Sequence, residues 1–177
     1  MDKLTTGDKV IGISAILLLV FSLLPWFEAS VDFGGGDLGI DFSESASENG
    51  WGIGFLWAGV PVILGLAMLA YVLISRFSPD TDLPEVAWPQ ILLGVGVVAA
   101  LLVVIKLIIG VDENDLLPGA GAIDDEFVDD FLDDLDLSVT RQIGIYLSAL
   151  AAIGLAVGAF LRMREDQGAS RTPPTAF

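Results

Sequence analysis

Four stretches of this chain, 10–27, 52–74, 90–109 and 142–161, are almost free of groups that prefer water; Lys106 is the one ionised side chain within them. A helix needs about 20 apolar residues to cross the roughly 30 Å hydrocarbon core of a bilayer. In hydrocarbon every backbone N–H and C=O must be satisfied inside the segment itself, so each stretch is expected to be a helix. The fold class that follows is an all-α membrane protein, a four-transmembrane-helix bundle. A hydrophobic content of 54% and a mean hydropathy of +0.72 agree with a membrane protein rather than a soluble domain of 177 residues. The first stretch outlasts the apolar region of a signal peptide, Pro25-Trp26-Phe27 ends it and no clean small-x-small cleavage site follows, so it is expected to stay as an anchor.

Basic residues near span ends set orientation, because cytoplasmic flanks retain Lys and Arg. Lys3, Lys9, Arg76, Arg162, Arg164 and Arg171 fall on one side, and Lys106 and Arg141 on the other. The expected layout is a cytoplasmic N-terminus (1–9), an acidic outer loop (28–51), a cytoplasmic loop (75–89), a second acidic outer loop (110–141) and a disordered cytoplasmic tail (162–177). The protein is expected in the plasma membrane, multi-pass, with both termini cytoplasmic. Within this frame seventeen of the 24 acids lie outside, whereas the inner segments, with seven acids and six bases, are nearly neutral.

Aromatic residues sharpen the boundaries. Trp26 and Trp51 are expected at the outer interface and Trp88 at the inner one, with Trp57 deeper against neighbouring helices. Lys106 lies near a span end, where its stem would carry the ammonium to the interface. Pro61 falls inside the second stretch and predicts a bend there. In the fourth, Gly144, Ser148, Ala151, Ala152, Gly154 and Gly158 would let helix backbones come close, chiefly within the bundle.

The loops carry patterns of their own. In VDFGGGDLGIDF, apolar Val31 and Phe33, then Leu38, Ile40 and Phe42, alternate with polar or small residues around Gly34-Gly35-Gly36-Asp37, which predicts a β-hairpin. The glycine run is not a phosphate cradle, since no GK[ST] follows. AIDDEFVDDFLDDLDLS, 122–138, repeats Ile123, Phe127, Phe131 and Leu135 every four residues beside Val128 and Leu132, which predicts an acidic amphipathic helix. Anionic lipid would repel it, so its apolar face is expected on the outer end of the bundle or on the hairpin.

The acidic face, Asp124, Asp125, Asp129, Asp130, Asp133 and Asp134, is the candidate partner-binding site. It admits three readings: solvation of the cap, docking of a basic membrane or extracytoplasmic protein, and weak binding of divalent cations. DENDLLPG at 112–119 does not complete a calcium loop.

Chemistry is narrowed by what is missing. The sequence has no His and no Cys, which removes thiolate nucleophiles, disulfides, the usual ligands of haem and zinc, and the commonest general base near neutral pH. A net charge of −16 argues against nucleic acid. No catalytic residues, cofactor site or metal site is expected, and the bilayer is the first partner.

The segment LTTGDKVIGISAILLLVFSLLPWF, followed by an acidic loop and NGWGIGFLW, resembles a group of uncharacterised four-span integral membrane proteins of actinobacteria over about the first third of the chain. That resemblance implies a plasma-membrane location and four helices, and no activity. Gly54-Phe55-Leu56-Trp57 after Trp51 is faintly similar to the W…GLW element of claudin-like proteins, which implies a β-structured first outer loop; the paired cysteines of that family are missing, so adhesion does not carry over. The expected function is a non-catalytic accessory, assembly or scaffolding component that presents an acidic extracytoplasmic surface to a partner. The alternative is a cation-handling channel or transporter component with an acidic outer vestibule.

Overall fold

The computed structural model describes residues 4–33, 42–77, 86–111 and 136–169. The described chain is mostly helical, with one small sheet. Its order is α1 (Thr6–Ser22), β1 (Pro25–Phe33), β2 (Phe42–Asn49), α2 (Gly50–Ile53), α3 (Gly59–Phe77), α4 (Trp88–Ile109), β3 (Asp136–Arg141) and α5 (Ile143–Ala169). Three helices, α3, α4 and α5, are long and apolar enough to cross a membrane. With 17 residues, α1 is shorter.

Local chemistry sets these bounds. Thr5 caps α1, its hydroxyl accepting from Asp8 N while the Asp8 carboxylate accepts from Thr5 N, a reciprocal capping box. The helix stops at Ser22, and the chain enters a strand at Pro25, whose ring disfavours helical geometry in the residue before it. The expected first span therefore loses 23–27: Trp26 and Phe27 belong to β1. Asn49 caps the short helix α2 through Trp51 N and Gly52 N, and Gly54 at φ 139° breaks it. The second long helix thus begins at Gly59 rather than at 52. Pro61 then sits in its first turn, where no intrahelical acceptor awaits its missing N–H, so the expected mid-helix bend has no cause. Gly110 at φ 83° terminates α4. Residues 162–169 continue α5 rather than opening a tail, because Arg162 and Glu165 have partners on α1.

The long helices run alternately up and down. α1 packs against α3 and α5, and α4 packs against the same two. The closest approach is between α1 and α5, in antiparallel register: Gly7 against Arg162, Ile11 against Gly158, Ser14 against Gly154, and Leu24 against Gly144. The small residues of α5 are thus used within the molecule. Ile11, Leu18, Met68, Val72, Val103 and Leu155 fill the space between the helices, all almost wholly buried.

The sheet has the order β2-β1-β3, both pairs antiparallel. Where a hairpin of Val31–Phe33 with Leu38–Phe42 is expected, β1 begins six residues before Val31 and pairs antiparallel with the polar FSESASEN; the expected turn and the arm residues Leu38 and Ile40 lie in 34–41, outside the described residues. The irregular register between Pro25 and Phe27 lets consecutive side chains, Trp26 and Phe27, both point into the core. Residues opposite one another share a sheet face, so Phe27 and Arg141 turn toward the helices, and Glu28, Ser47 and Thr140 turn away. Asp136, Leu137 and Ser138, expected to end the amphipathic helix, instead open β3, where β-branched Val139 and Thr140 favour an extended chain. The rest of that expected helix, 122–135, lies outside the described residues.

The tight α1–α5 contact gives a test. A Cβ on Gly158 would stand 2.8 Å from Ile11 N, a backbone atom that cannot swing aside, whereas one on Gly94 of α4 meets nothing within 4 Å. Gly158→Ala should cost about 1–3 kcal/mol by overpacking and lower the thermal midpoint in detergent by several degrees. Gly94→Ala should leave it unchanged or raise it, since alanine is the better helix former.

Candidate functional site

The acidic face proposed from sequence, Asp124 to Asp134, lies outside the described residues. What the structure does assemble is a charged cluster at the end of the helices remote from the sheet. Asp8 stands on the first turn of α1 with its side chain fully enclosed. Its Oδ1 accepts from Arg162 Nη1 of α5 at 2.8 Å, and its Oδ2 accepts from Arg76 Nε of α3 at 2.7 Å and from Thr5 N at 3.1 Å. One carboxylate thereby holds three helices. A charge removed from water persists only with such partners.

The cluster extends on both sides. Arg162 Nη2 donates to Ser75 Oγ at 3.3 Å, and its guanidinium lies 5.0 Å from the centre of the Tyr71 ring. Tyr71 stacks on Trp88 at 4.5 Å, which brings in the start of α4. Glu165 accepts from Thr6 N and Gly7 N, both at 3.2 Å. The first four N–H groups of a helix lack intrahelical acceptors. Here the N–H groups of Thr5, Thr6, Gly7 and Asp8 all meet side-chain oxygens, one from α1, one from its cap residue Thr5 and two from α5. The helix start is closed, with no amide left for an anionic ligand.

The sheet end is built from cations. Arg141, the last residue of β3, donates through Nε to Leu107 O at 2.9 Å and through Nη2 to Ile108 O at 3.2 Å, covering carbonyls that α4 leaves open at its C-terminus. Lys106 is nearly buried and its ammonium lies 5.4 Å from the centre of the Trp57 ring. It folds under that indole instead of reaching outward, and Trp57 stands in the turn before α3 rather than deep in a helix. Trp26, expected at an interface, is wholly buried, its indole N–H donating to Phe21 O at 3.1 Å. Trp51 keeps a partly exposed ring and donates to Ser22 Oγ at 3.0 Å. Gln142 joins helix to sheet through its N–H to Trp26 O and its side-chain amide to Glu28.

Between these ends the described helices carry no ionised side chain. Ser14 and Ser148 are buried hydroxyls there, and Ser148 Oγ has no hydrogen-bond partner. Among the described residues no group of three or more acidic side chains could hold a metal ion. Arg162 and Arg76 were legible only as inside markers, and Asp8 as one more inner acid. The available signal was the TTGD start, with its capping-box spacing, together with one arginine at the same end of two other helices. Comparison with known protein families, with curated proteins and with solved structures finds no match to this chain.

The cluster predicts its own failure. Asp8→Asn leaves Arg162 buried without a counter-charge and should cost about 3–5 kcal/mol, the usual result of removing one partner from a buried pair. Asp8→Leu combined with Arg162→Leu should be closer to the parent than either single change, because the half-exposed Arg76 can turn to water. Thermal unfolding of the purified chain in mild detergent measures all four.

Proposed function

We propose that the chain is a multi-pass integral membrane protein of the plasma membrane, a four-helix bundle in which α1 is the first span. Both termini are cytoplasmic, and the sheet and the acidic stretches are outside. Its work is accessory or structural: it presents an acidic extracytoplasmic surface, centred on Asp124, Asp125, Asp129, Asp130, Asp133 and Asp134, to a basic partner protein. One observation carries this reading against catalysis or transport: all ionised side chains of the described helices stand at the ends. At the sheet-remote end Asp8, Arg76, Arg162 and Glu165 tie helices together, and at the sheet end Lys106 lies under the Trp57 ring in the last turn of α4. A conducting path places polar or ionisable groups near the bilayer middle, and the hydroxyls of Ser14 and Ser148 are a poor substitute.

The orientation can be tested with unusual clarity because the sequence contains no cysteine. A cysteine introduced at Ser45 or Ser138, both exposed on the sheet, should react in intact cells with a membrane-impermeant maleimide, and one at Arg164 should react only after permeabilisation. The reverse pattern would sink the assignment of sides.

The partner reading has a separate readout. Asn in place of Asp129, Asp130, Asp133 and Asp134 should lower recovery of a co-purifying basic protein from native membranes, and added salt should mimic the loss for the parent chain, since screened charges attract weakly. Equal recovery with all four replaced would leave solvation as the role of these acids.

A further inference from the structure

We infer that the flank of the molecule formed by α1 is a lipid-binding surface that fits a locally thinned bilayer. The inference rests on the four-span reading proposed above, and concerns how the shortest of the four long helices meets the membrane.

The outward face of α1 is Ile13, Ile16, Leu17, Val20 and Leu23, all exposed. It is bounded at one end by exposed Lys9 and at the other by Pro25, where the chain leaves the helix for the sheet. From Val10 to Leu23 a helix rises only about 20 Å. The corresponding exposed face of α4 runs from Ile91 to Ile109, and that of α5 from Ile143 to Phe160, about 27 Å and 26 Å at the same rise. The apolar girdle is therefore uneven, several ångströms shorter on α1 than on α4 or α5.

This shortness is fixed by the fold rather than by fraying. The start of α1 is pinned by Asp8 to Arg76 and Arg162 and by Glu165 to its first amides. Its far end is pinned by the burial of Trp26 and Phe27 and by the Gln142 N bond to Trp26 O at 2.8 Å. The helix cannot slide or lengthen to match a thicker core, so the lipid must adjust, as bilayers do around short hydrophobic segments. Lipid, rather than another helix, is the occupant for a second reason. Helices associate in membranes through small residues that let backbones approach; in α1 Gly7, Ser14, Ala15 and Ser22 are buried and Gly12 is half-buried beside Leu69 of α3, and the exposed face beyond Lys9 is made of branched aliphatic side chains.

The test places a nitroxide at single cysteines in the full chain reconstituted in vesicles of phosphatidylcholine with 18-carbon chains, and compares collision with oxygen, which concentrates at the bilayer centre, against a water-soluble nickel chelate. Labels replace Ile13 and Leu23, near the two ends of the α1 band, Val98 in the middle of α4, and Val20, which lies inward of Leu23 and serves if Leu23 tolerates no label. The expected result is an oxygen-to-nickel ratio several-fold lower at Ile13 and Leu23 than at Val98, with Val20 between, and a smaller difference in 14-carbon lipid. Ratios at Ile13 and Leu23 matching Val98 in 18-carbon lipid would overturn the inference while leaving the spans intact. A chain that does not float with vesicles, or a Val98 label open to nickel, would instead overturn the membrane reading beneath it.

Discussion

A carboxylate cannot stay ionised away from water without cations brought to it, and the placement of Asp8 imposes that demand on the rest of the chain. Its partners arrive from 68 and 154 residues away, at the ends of α3 and α5. Meeting them levels the ends of three helices and fixes their directions, since the start of α1 must lie beside the finish of the other two. It also requires α1 and α5 to approach until Gly7 faces the backbone of Arg162, which only a residue without a side chain allows. The Tyr71–Trp88 stack passes the same constraint to α4.

The opposite end meets a different demand by different means. A helix finishing at Ile109 leaves carbonyl oxygens without donors, and a strand returning from elsewhere supplies Arg141 to them. That single guanidinium joins the point where the chain departs, after α4, to the point where it comes back, in β3. The two roots of the most acidic part of the sequence are thus held together by the guanidinium of exposed Arg141. The sheet is fastened independently, through buried Trp26 and Phe27 and through Gln142.

How much of this was legible in the residues follows from what each pattern averages over. The stretches that became α4 and α5 announce themselves because twenty apolar residues leave no other option in a membrane; their starts are misplaced by only one or two residues. The start of α3 and the end of α1 are misplaced by five to seven, because LLPWF and WGIGFLW stay apolar after the helix has stopped, and hydropathy does not distinguish a buried strand or turn from a span. β2 is invisible to period-two reading: in FSESASEN, Ala46 is the single apolar residue after Phe42, and pairing with β1 rather than burial makes it a strand. The first half of β3, Asp136 to Ser138, reads as helix because DLDLS continues the acidic-apolar rhythm of the residues before it. The cluster at Asp8 was unreadable for a plainer reason, namely that its members lie on three separate elements and each alone looks like an ordinary end-of-helix charge.

The geometry also bears on the charge asymmetry from which orientation is argued. Of the eight basic residues, two oppose the bias, Lys106 and Arg141, and both have local reasons to be where they are: each stands at the C-terminus of α4, where cations are favoured by the helix dipole. On the sheet-remote end, by contrast, Lys9 and Arg164 remain exposed after Arg76 and Arg162 have been taken up by Asp8. Carboxylates weigh little in setting orientation, so the nearby acids do not cancel this difference. The two exceptions are explained by their place at the α4 C-terminus, and the remaining bias supports the proposed placement of the sheet and its acidic neighbours outside.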